Sequence, residues 1–295
     1  MYKINKCKQL TESIFLMEVV APRVARKSLP GQFIIAKIDE EGERIPLTIC
    51  DYDRVAGTIT IVFQVVGAST FAMSKLKKGD SFMDFVGPLG HYSELIDEDI
   101  EELKNKKILF VAGGVGTAPV YPQVKWLHEQ GIMCDVIIGA KSKDFLILED
   151  EMRAVCNLYI TTDDGSYERR GMVTKVITDL VENQGNQYDV VVAIGPMIMM
   201  KFVCLLTKEL GLKTIISMNP IMVDGTGMCG ACRLLVNDEV KFACVDGPEF
   251  DGHLVDFDKA MERQDIYKTH EGRAWLKAEE GENHHGGCGN CGGDE

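Results

Sequence analysis

Along the first hundred residues, short runs rich in Val, Ile and Phe alternate with Gly, Pro and Asp, at residues 14–20, 32–38, 45–50, 58–66 and 81–86. Strands this short and closely spaced predict an antiparallel β-barrel. One helical stretch at 69–77 interrupts them, opened by Gly67-Ala68-Ser69-Thr70 with Ser69 as the expected N-cap. After Lys107 the pattern changes. Ile108 to Ala112 is apolar throughout, as a parallel strand buried on both faces must be, and it runs into a Gly-rich turn and a helix ending near residue 130. Further strands at 135–139, 158–162 and 189–194 alternate with helices, which predicts a doubly wound α/β sheet. A third pattern follows Pro220: a loop dense in Gly and Cys, a hairpin of 233–236 and 240–244 about Asn237-Asp238, and a helix at 267–280. The expected domains are 1–98, 99–213, 214–266 and a terminal piece, 267–295.

Composition narrows the class. At 295 residues and 45% hydrophobic, the chain can bury two or three ordinary cores. A net charge of −13 and a pI near 5.0 argue against nucleic acid and against anionic membranes, which both favour a basic face. The opening ten residues have no long apolar run, and the most apolar stretch, 190–206, is broken by Gly195, Pro196 and Lys201, so a cytoplasmic protein is expected. Of the ten cysteines, Cys7, Cys50, Cys134, Cys156 and Cys204 stand singly among apolar neighbours, as buried free thiols do.

The remaining cysteines carry the chemistry. Asp224, Cys229, Cys232 and Cys244 form the spacing D-x4-C-x2-C-x11-C, with Gly225, Gly227 and Gly230 between them. Plant-type [2Fe–2S] ferredoxins use C-x4-C-x2-C plus a later Cys, and this loop has that frame with the first thiolate replaced by a carboxylate. The competing reading is a zinc ribbon on Cys229 and Cys232, which ordinarily brings a second Cys or His pair close by. Asp224 can be the fourth ligand or a turn residue bonding its own backbone. At the chain end, His284, His285, Cys288 and Cys291 offer further donors for zinc or iron. Elsewhere, Gly67, Ser69 and Thr70 open a helix either as a simple cap or as a phosphate cradle. Gly114 and Gly116 begin a dinucleotide fingerprint, but Pro119 stands at its third glycine.

Arg44-Ile45-Pro46-Leu47-Thr48, Gly67 to Thr70, Gly87-Pro88-Leu89-Gly90, Gly114-x-Gly116-Thr117-x-Pro119 and Gly195-Pro196 occur in an order that resembles the ferredoxin–NADP reductase family. The resemblance implies a flavin barrel, a nucleotide domain and a small C-terminal [2Fe–2S] domain. It places Arg44 on the FAD pyrophosphate, Pro46 and Leu47 along the flavin, Thr48 beside flavin N5 as the catalytic hydroxyl, Gly67, Ser69 and Thr70 on the phosphates, and Gly87 and Gly90 at the same cofactor. Gly114, Gly116, Thr117, Pro119, Gly195, Pro196 and Met199 would line the nicotinamide site, with Ile194 where plant-type members have Cys. Asp163 and Asp164 replace the Ser-Arg pair that holds a 2′-phosphate, which favours NADH over NADPH. Lys141 and Lys143 nearby could reverse that preference. The cluster loop followed by Val245-Asp246-Gly247-Pro248-Glu249-Phe250 is similar to small subunits of the NADH-dependent reduced ferredoxin:NADP oxidoreductase, also called sulfide dehydrogenase small subunits. That likeness implies a heterodimer with a larger flavoprotein holding FAD and [4Fe–4S] clusters, electron bifurcation, and indirect dealings with ferredoxin and NADP(H). The alternatives are a relay subunit of a dihydroorotate dehydrogenase-type complex that binds no free nicotinamide, and an interaction module with a structural zinc.

Overall fold

The computed structural model describes residues 1–283. Its first sheet contains β1 (Tyr2–Gln9), β2 (Ile14–Val20), β3 (Phe33–Lys37), β4 (Ile45–Asp53), β5 (Thr58–Gln64), β6 (Ser81–Phe82) and β7 (Asp84–Leu89), all antiparallel in the order β6-β1-β2-β5-β4-β3-β7. β6 and β7 are the two ends of that order and are separated only by Met83, so the chain all but closes the sheet into a barrel. Ile4, Met17, Ile34, Ile59, Phe63 and Phe82 fill the interior. β1 has no strong sequence signal because Lys and Asn interrupt its apolar positions and its register slips between Ile4 and Lys6. The expected strand at 81–86 is two strands, and the expected helix at 69–77 is Ala68–Ser74.

The second sheet begins with β8 (Ile108–Gly113), β9 (Asp135–Ala140), β10 (Asn157–Thr162), the short β11 (Arg169–Arg170), β12 (Val190–Ile194) and β13 (Lys213–Ser217), all parallel. β14 (Arg233–Val236) and β15 (Glu239–Phe242) form the expected hairpin, turning through Asn237 and Asp238 at positive φ. β16 (Glu249–Asp251) then adds antiparallel to β13, giving the order β11-β10-β9-β8-β12-β13-β16. The order reverses between β8 and β12, the switch point at which open α/β sheets bind ligands beyond their carboxyl ends. The boundary expected at 213/214 falls at the first residue of β13, so the nucleotide sheet draws its fifth long parallel strand from beyond it.

The cluster segment is not a separate bead. Cys232, Leu234, Cys244 and Phe257 share one core with Val191, Met200 and Ile216 of the nucleotide sheet and its helix, and with Phe33 and Ile35 of the barrel. A second seam joins barrel to nucleotide domain, where Ile14, Cys50 and Val62 meet Ala118, Ile147 and Leu148, and Lys125 Nζ donates to Asp51 at 2.9 Å. The last described helix, Lys268–Asn283, returns to the barrel, where Trp275 meets Phe71 edge-on at 5.5 Å. Among the described residues no helix is long and apolar enough to cross a membrane.

Candidate functional site

The carboxyl ends of β8 and β12 make one half of the site. Gly113 and Gly195 lie back to back, and a Cβ built on Gly195 would stand 2.9 Å from the Met199 methyl and 3.0 Å from the Gly113 Cα. A Cβ on Gly116 would overlap the carbonyl oxygen of Ile194, and one on Gly113 would overlap the Met199 sulfur. The close packing of two strand ends under a helix start therefore demands these glycines. Gly114 differs: its φ is +55° and a Cβ there would meet nothing within 4 Å, so its backbone faces open space. Thr117 donates its hydroxyl to the Gly114 carbonyl at 2.9 Å and fixes the turn, and Pro119 sits in the first turn of Thr117–Glu129, where no backbone N–H is missed. Pro196 is exposed beside them as N-cap of Met197–Glu209. Sequence reading overlooked Gly113, although the run Gly113-Gly114-x-Gly116 was there to be read.

The barrel supplies the facing wall. β4 sets Pro46, Leu47 and Thr48 opposite Ile35, Ile34 and Phe33 of β3. Gly87 and Gly90 sit on β7 and just beyond it, where added Cβ atoms would press Ile34 at 2.6 Å and Phe33 at 2.7 Å. Gly67, not Ser69, is the N-cap of Ala68–Ser74, and Thr70 Oγ1 accepts from the Gly67 and Val66 amides at 3.1 and 3.0 Å. Ser69 Oγ instead donates to the Glu43 carboxylate. A Cβ on Gly67 would meet nothing within 4 Å, so the helix start opens onto free space, as a phosphate cradle must. Arg44 has turned elsewhere. Its Nε and an Nη donate to the backbone carbonyls of Val223 and Asp224, both at 3.2 Å, tying the start of β4 to the Cys loop. A guanidinium has five N–H donors, so these two bonds leave three N–H groups uncommitted by them.

In the Cys loop, Gly225 packs on Ile35 and Leu89 of the barrel. The Asp224 carboxylate bonds its own turn, accepting from Thr226 Oγ1 at 2.5 Å, Thr226 N at 3.1 Å and Met228 N at 3.0 Å, and these bonds, the hydroxyl's first, hold its carboxyl below the usual range. Cys232 and Cys244 are buried side by side, and burial pushes the Cys244 thiol up to about 12, with the Cys232 neighbour adding to it. Cys229 is exposed, and its sulfur accepts from the Ala231 amide at 3.5 Å. Among the described residues no three His, Cys, Asp or Glu gather around one point. A zinc ribbon needs four donors around a single ion, whereas a binuclear cluster needs two per iron, so a thiol pair with two further donors on one loop fits the cluster better. His284, His285, Cys288 and Cys291 lie outside the described residues.

Asp163 and Asp164 follow β10 on an exposed turn. Asp164 accepts from Ser166 Oγ at 2.7 Å and Ser166 N at 2.9 Å, bonds that lower its pKa. Arg170, which sequence reading passed over, lies along Gly165, with its Cδ 3.0 Å from a Cβ built there. Lys143 Nζ stands 5.0 Å from the Tyr167 ring centre. Both signs of charge therefore flank this end of the sheet.

Family comparisons agree with this geometry. Residues 219–256 match the iron-sulfur cluster binding domain of dihydroorotate dehydrogenase B, and residues 110–205 match the oxidoreductase NAD-binding domain. A Thermotoga maritima homolog of the dihydroorotate dehydrogenase B (NAD(+)) electron transfer subunit is 43% identical over 269 residues, 91% of this chain and 92% of that one. The chain belongs to that electron-transfer subunit family. A Clostridium beijerinckii relative, described only as an uncharacterized protein in the adh 3′ region, is 63% identical over the whole of both chains. Among solved structures, a chain of the NADH-dependent reduced ferredoxin-NADP oxidoreductase superposes with a TM-score of 0.87 and 40% identity, over 94% of this chain and 97% of that one. The likeness to that oxidoreductase and the expected fold are thus borne out: barrel, nucleotide sheet and C-terminal iron–sulfur domain. This electron-transfer subunit is an oxidoreductase component, and FAD, a [2Fe–2S] cluster and NAD(H) are the cofactors consistent with its domains.

Proposed function

We propose that the chain passes electrons between NAD(H) and a larger iron–sulfur flavoprotein, as the small subunit of an NADH-dependent, electron-bifurcating ferredoxin:NADP oxidoreductase. The observation that carries this reading is the full-length match at 40% identity to a subunit of that complex. Relatives named for the dihydroorotate dehydrogenase B electron transfer subunit match at 43% in Thermotoga maritima and 31% in Fusobacterium and Streptococcus, which keeps a relay subunit of such a complex as the second reading.

Bound at the barrel, a flavin accepts a hydride as an electron pair and gives electrons up singly, which reconciles NADH with a one-electron cluster. The residues would serve that sequence as follows. Gly114, Gly116 and Thr117 present backbone to a pyrophosphate at the switch point, while Gly195, Pro196 and Met199 shape the nicotinamide pocket between β12 and the barrel. Asp163 and Asp164 would accept from the adenosine ribose. Thr48, projecting from the β4 strand, would orient the flavin edge that receives hydride, and Pro46 and Leu47 would exclude water along it. Gly67, Ser69, Thr70 and Arg44 would hold phosphates, with Gly87 and Gly90 letting the cofactor lie close to β7. Asp224, Cys229, Cys232 and Cys244 would ligate the cluster. Domains 1–98, 99–213 and 214–266 serve flavin, nucleotide and cluster in turn, with 267–295 appended, and a cytoplasmic location suits the reaction.

An anaerobic absorbance and EPR titration with NADH, and separately NADPH, tests this. Bleaching of a flavin band and growth of a rhombic cluster signal with NADH are expected. A flavin and cluster inert to both nucleotides would leave the relay role in a dihydroorotate dehydrogenase-type complex.

A further inference from the structure

The described residues contain four buried side-chain polar atoms without a hydrogen-bond partner, and three of them belong to one place: Ser93 Oγ, Gln123 Oε1 and Glu249 Oε2. Each comes from a different part of the fold. Ser93 follows the barrel, with its amide bonded to the Pro30 carbonyl at 2.9 Å. Gln123 lies in the helix after the Gly-rich turn, and Glu249 opens β16, opposite Ser217 of β13. Gln123 Nε2 donates to Glu249 Oε1 at 2.7 Å, which leaves the second carboxyl oxygen unanswered. The segment bearing Glu249 is pinned on both sides: the His91 amide donates to the Gly247 carbonyl at 2.7 Å and the Met218 amide to the Pro248 carbonyl at 2.9 Å.

We propose that Glu249, Gln123 and Ser93 form a buried proton-binding site at the seam of the three segments, where the Glu249 carboxylate takes up a proton as negative charge accumulates on the Cys loop and releases it as that charge leaves. A buried carboxylate with one hydrogen bond is costly, whereas a carboxylic acid sharing an ordered water with a hydroxyl and an amide oxygen satisfies all three orphaned atoms. The charges facing it point the same way. Burial pushes the Glu249 carboxyl up to about 7, opposed by the Gln123 hydrogen bond and reinforced by the charge of Glu94, which is itself paired with Lys213 at 2.6 Å. Helix 117–129 and β13 face it with the uncharged Gln123 and Ser217. Cys244 lies five residues before Glu249, a stretch of chain that spans at most about 18 Å, so a negative charge added there strengthens the carboxyl's hold on a proton. In that step one electron enters the cluster from a reductant and one proton moves from solvent to the Glu249 carboxylate.

The coupling rests on the proposed cluster, but the proton site does not, and two measurements separate them. Infrared difference spectra of the full chain, titrated from acid to alkaline pH, should show a protonated-carboxyl band lost near neutrality and absent from Glu249→Gln. Ser93→Ala should move that titration without removing it. A band unchanged in Glu249→Gln overturns the site. In cluster-loaded protein poised with dithionite, the EPR-monitored midpoint should fall as pH rises through neutrality in the wild type and lose that dependence in Glu249→Gln. Equal pH dependence in the two proteins overturns the coupling. A chain that takes up no cluster refutes the functional reading, and with it the coupling, while the infrared titration still decides the proton site.

Discussion

The nucleotide turn and the Cys loop are both glycine-rich, both tied by a threonine hydroxyl, and built on opposite principles. At 113–117 two of the glycines are dictated by what surrounds them: strand ends, a helix and Met199 converge until no Cβ fits at Gly113 or Gly116. At 224–230 the glycines answer to the chain's own path, with φ of +77°, +86° and +67° at Gly225, Gly227 and Gly230, and Cys229 stands exposed. One site is prepared by the sheet before any ligand arrives. The other is shaped by local turns and completed by what its sulfurs hold.

The largest effect that sharpens this contrast is expected from Gly116→Ala. Its φ of −60° is open to alanine, so the backbone conformation does not itself demand glycine. Overlap with the Ile194 carbonyl dominates, and a loss of about 3 kcal/mol or more should appear as a lower melting temperature, with NADH bleaching abolished. Gly227→Ala is the matched change. The left-handed backbone costs about 1–2 kcal/mol, while the Val245 γ-carbons 3.1 Å away are half-exposed and can yield, so stability should fall less and flavin reduction by NADH should persist. Equal losses in the two variants would erase the distinction.

The next effect is spectroscopic. If Asp224 ligates iron, Asp224→Cys should keep a [2Fe–2S] centre and lower its midpoint potential, because a thiolate donates more strongly than a carboxylate. Asp224→Asn, which preserves an acceptor for the Thr226 and Met228 amides, separates ligand from turn. An EPR spectrum and potential unchanged in both variants would leave Asp224 as a turn residue only.

The same contrast explains what could be read from residue order. The buried strands at 108–112 and 190–194 need continuous apolar text, and their packing glycines are visible beside them. β1 and β16 were not legible, since each is held by its neighbours: β16 is three residues whose pairing with β13 is decided far away in sequence. Ser69 looked like the cap because hydroxyls favour that position, but Gly67 with the Thr70 side chain satisfies the helix start and releases Ser69 to Glu43. Arg44 is legible as a cation at the start of β4, while its bonds to the carbonyls of Val223 and Asp224 span about 180 residues and carry no local signal. The Glu249 site is of the same kind: Ser93, Gln123 and Glu249 have nothing in common until the domains close.

Glu249 also gives a stability test of how tightly the prepared half of the molecule is closed. Its folded pKa of about 7 lies above the ordinary 4.5, so the folded state binds the proton more strongly than the unfolded chain does. The resulting stabilisation is complete below about pH 4.5, declines as pH rises and is gone above about pH 7, on the order of 3 kcal/mol at most across that window. Glu249→Gln, neutral at every pH, should flatten this slope in chemical denaturation between pH 5 and 8, and an unaltered slope would mean that the seam already accommodates the charge.

The smallest effects come from the two threonines. Thr117 is fully buried, and Thr117→Val leaves the Gly114 carbonyl without its donor, a loss of about 1–2 kcal/mol that should also raise the NADH concentration needed for half-bleaching. Thr226 is exposed, and Thr226→Val removes a hydroxyl that water can replace while keeping the backbone amide bond to Asp224. Less than about 0.5 kcal/mol is expected, with an unchanged nucleotide response. Should Thr226→Val instead destabilise the chain as much as Thr117→Val, the Cys loop would be as rigidly pre-formed as the nucleotide turn. Its shape would then be set by the hold of Arg44 and the barrel on it, before the cluster contributes anything.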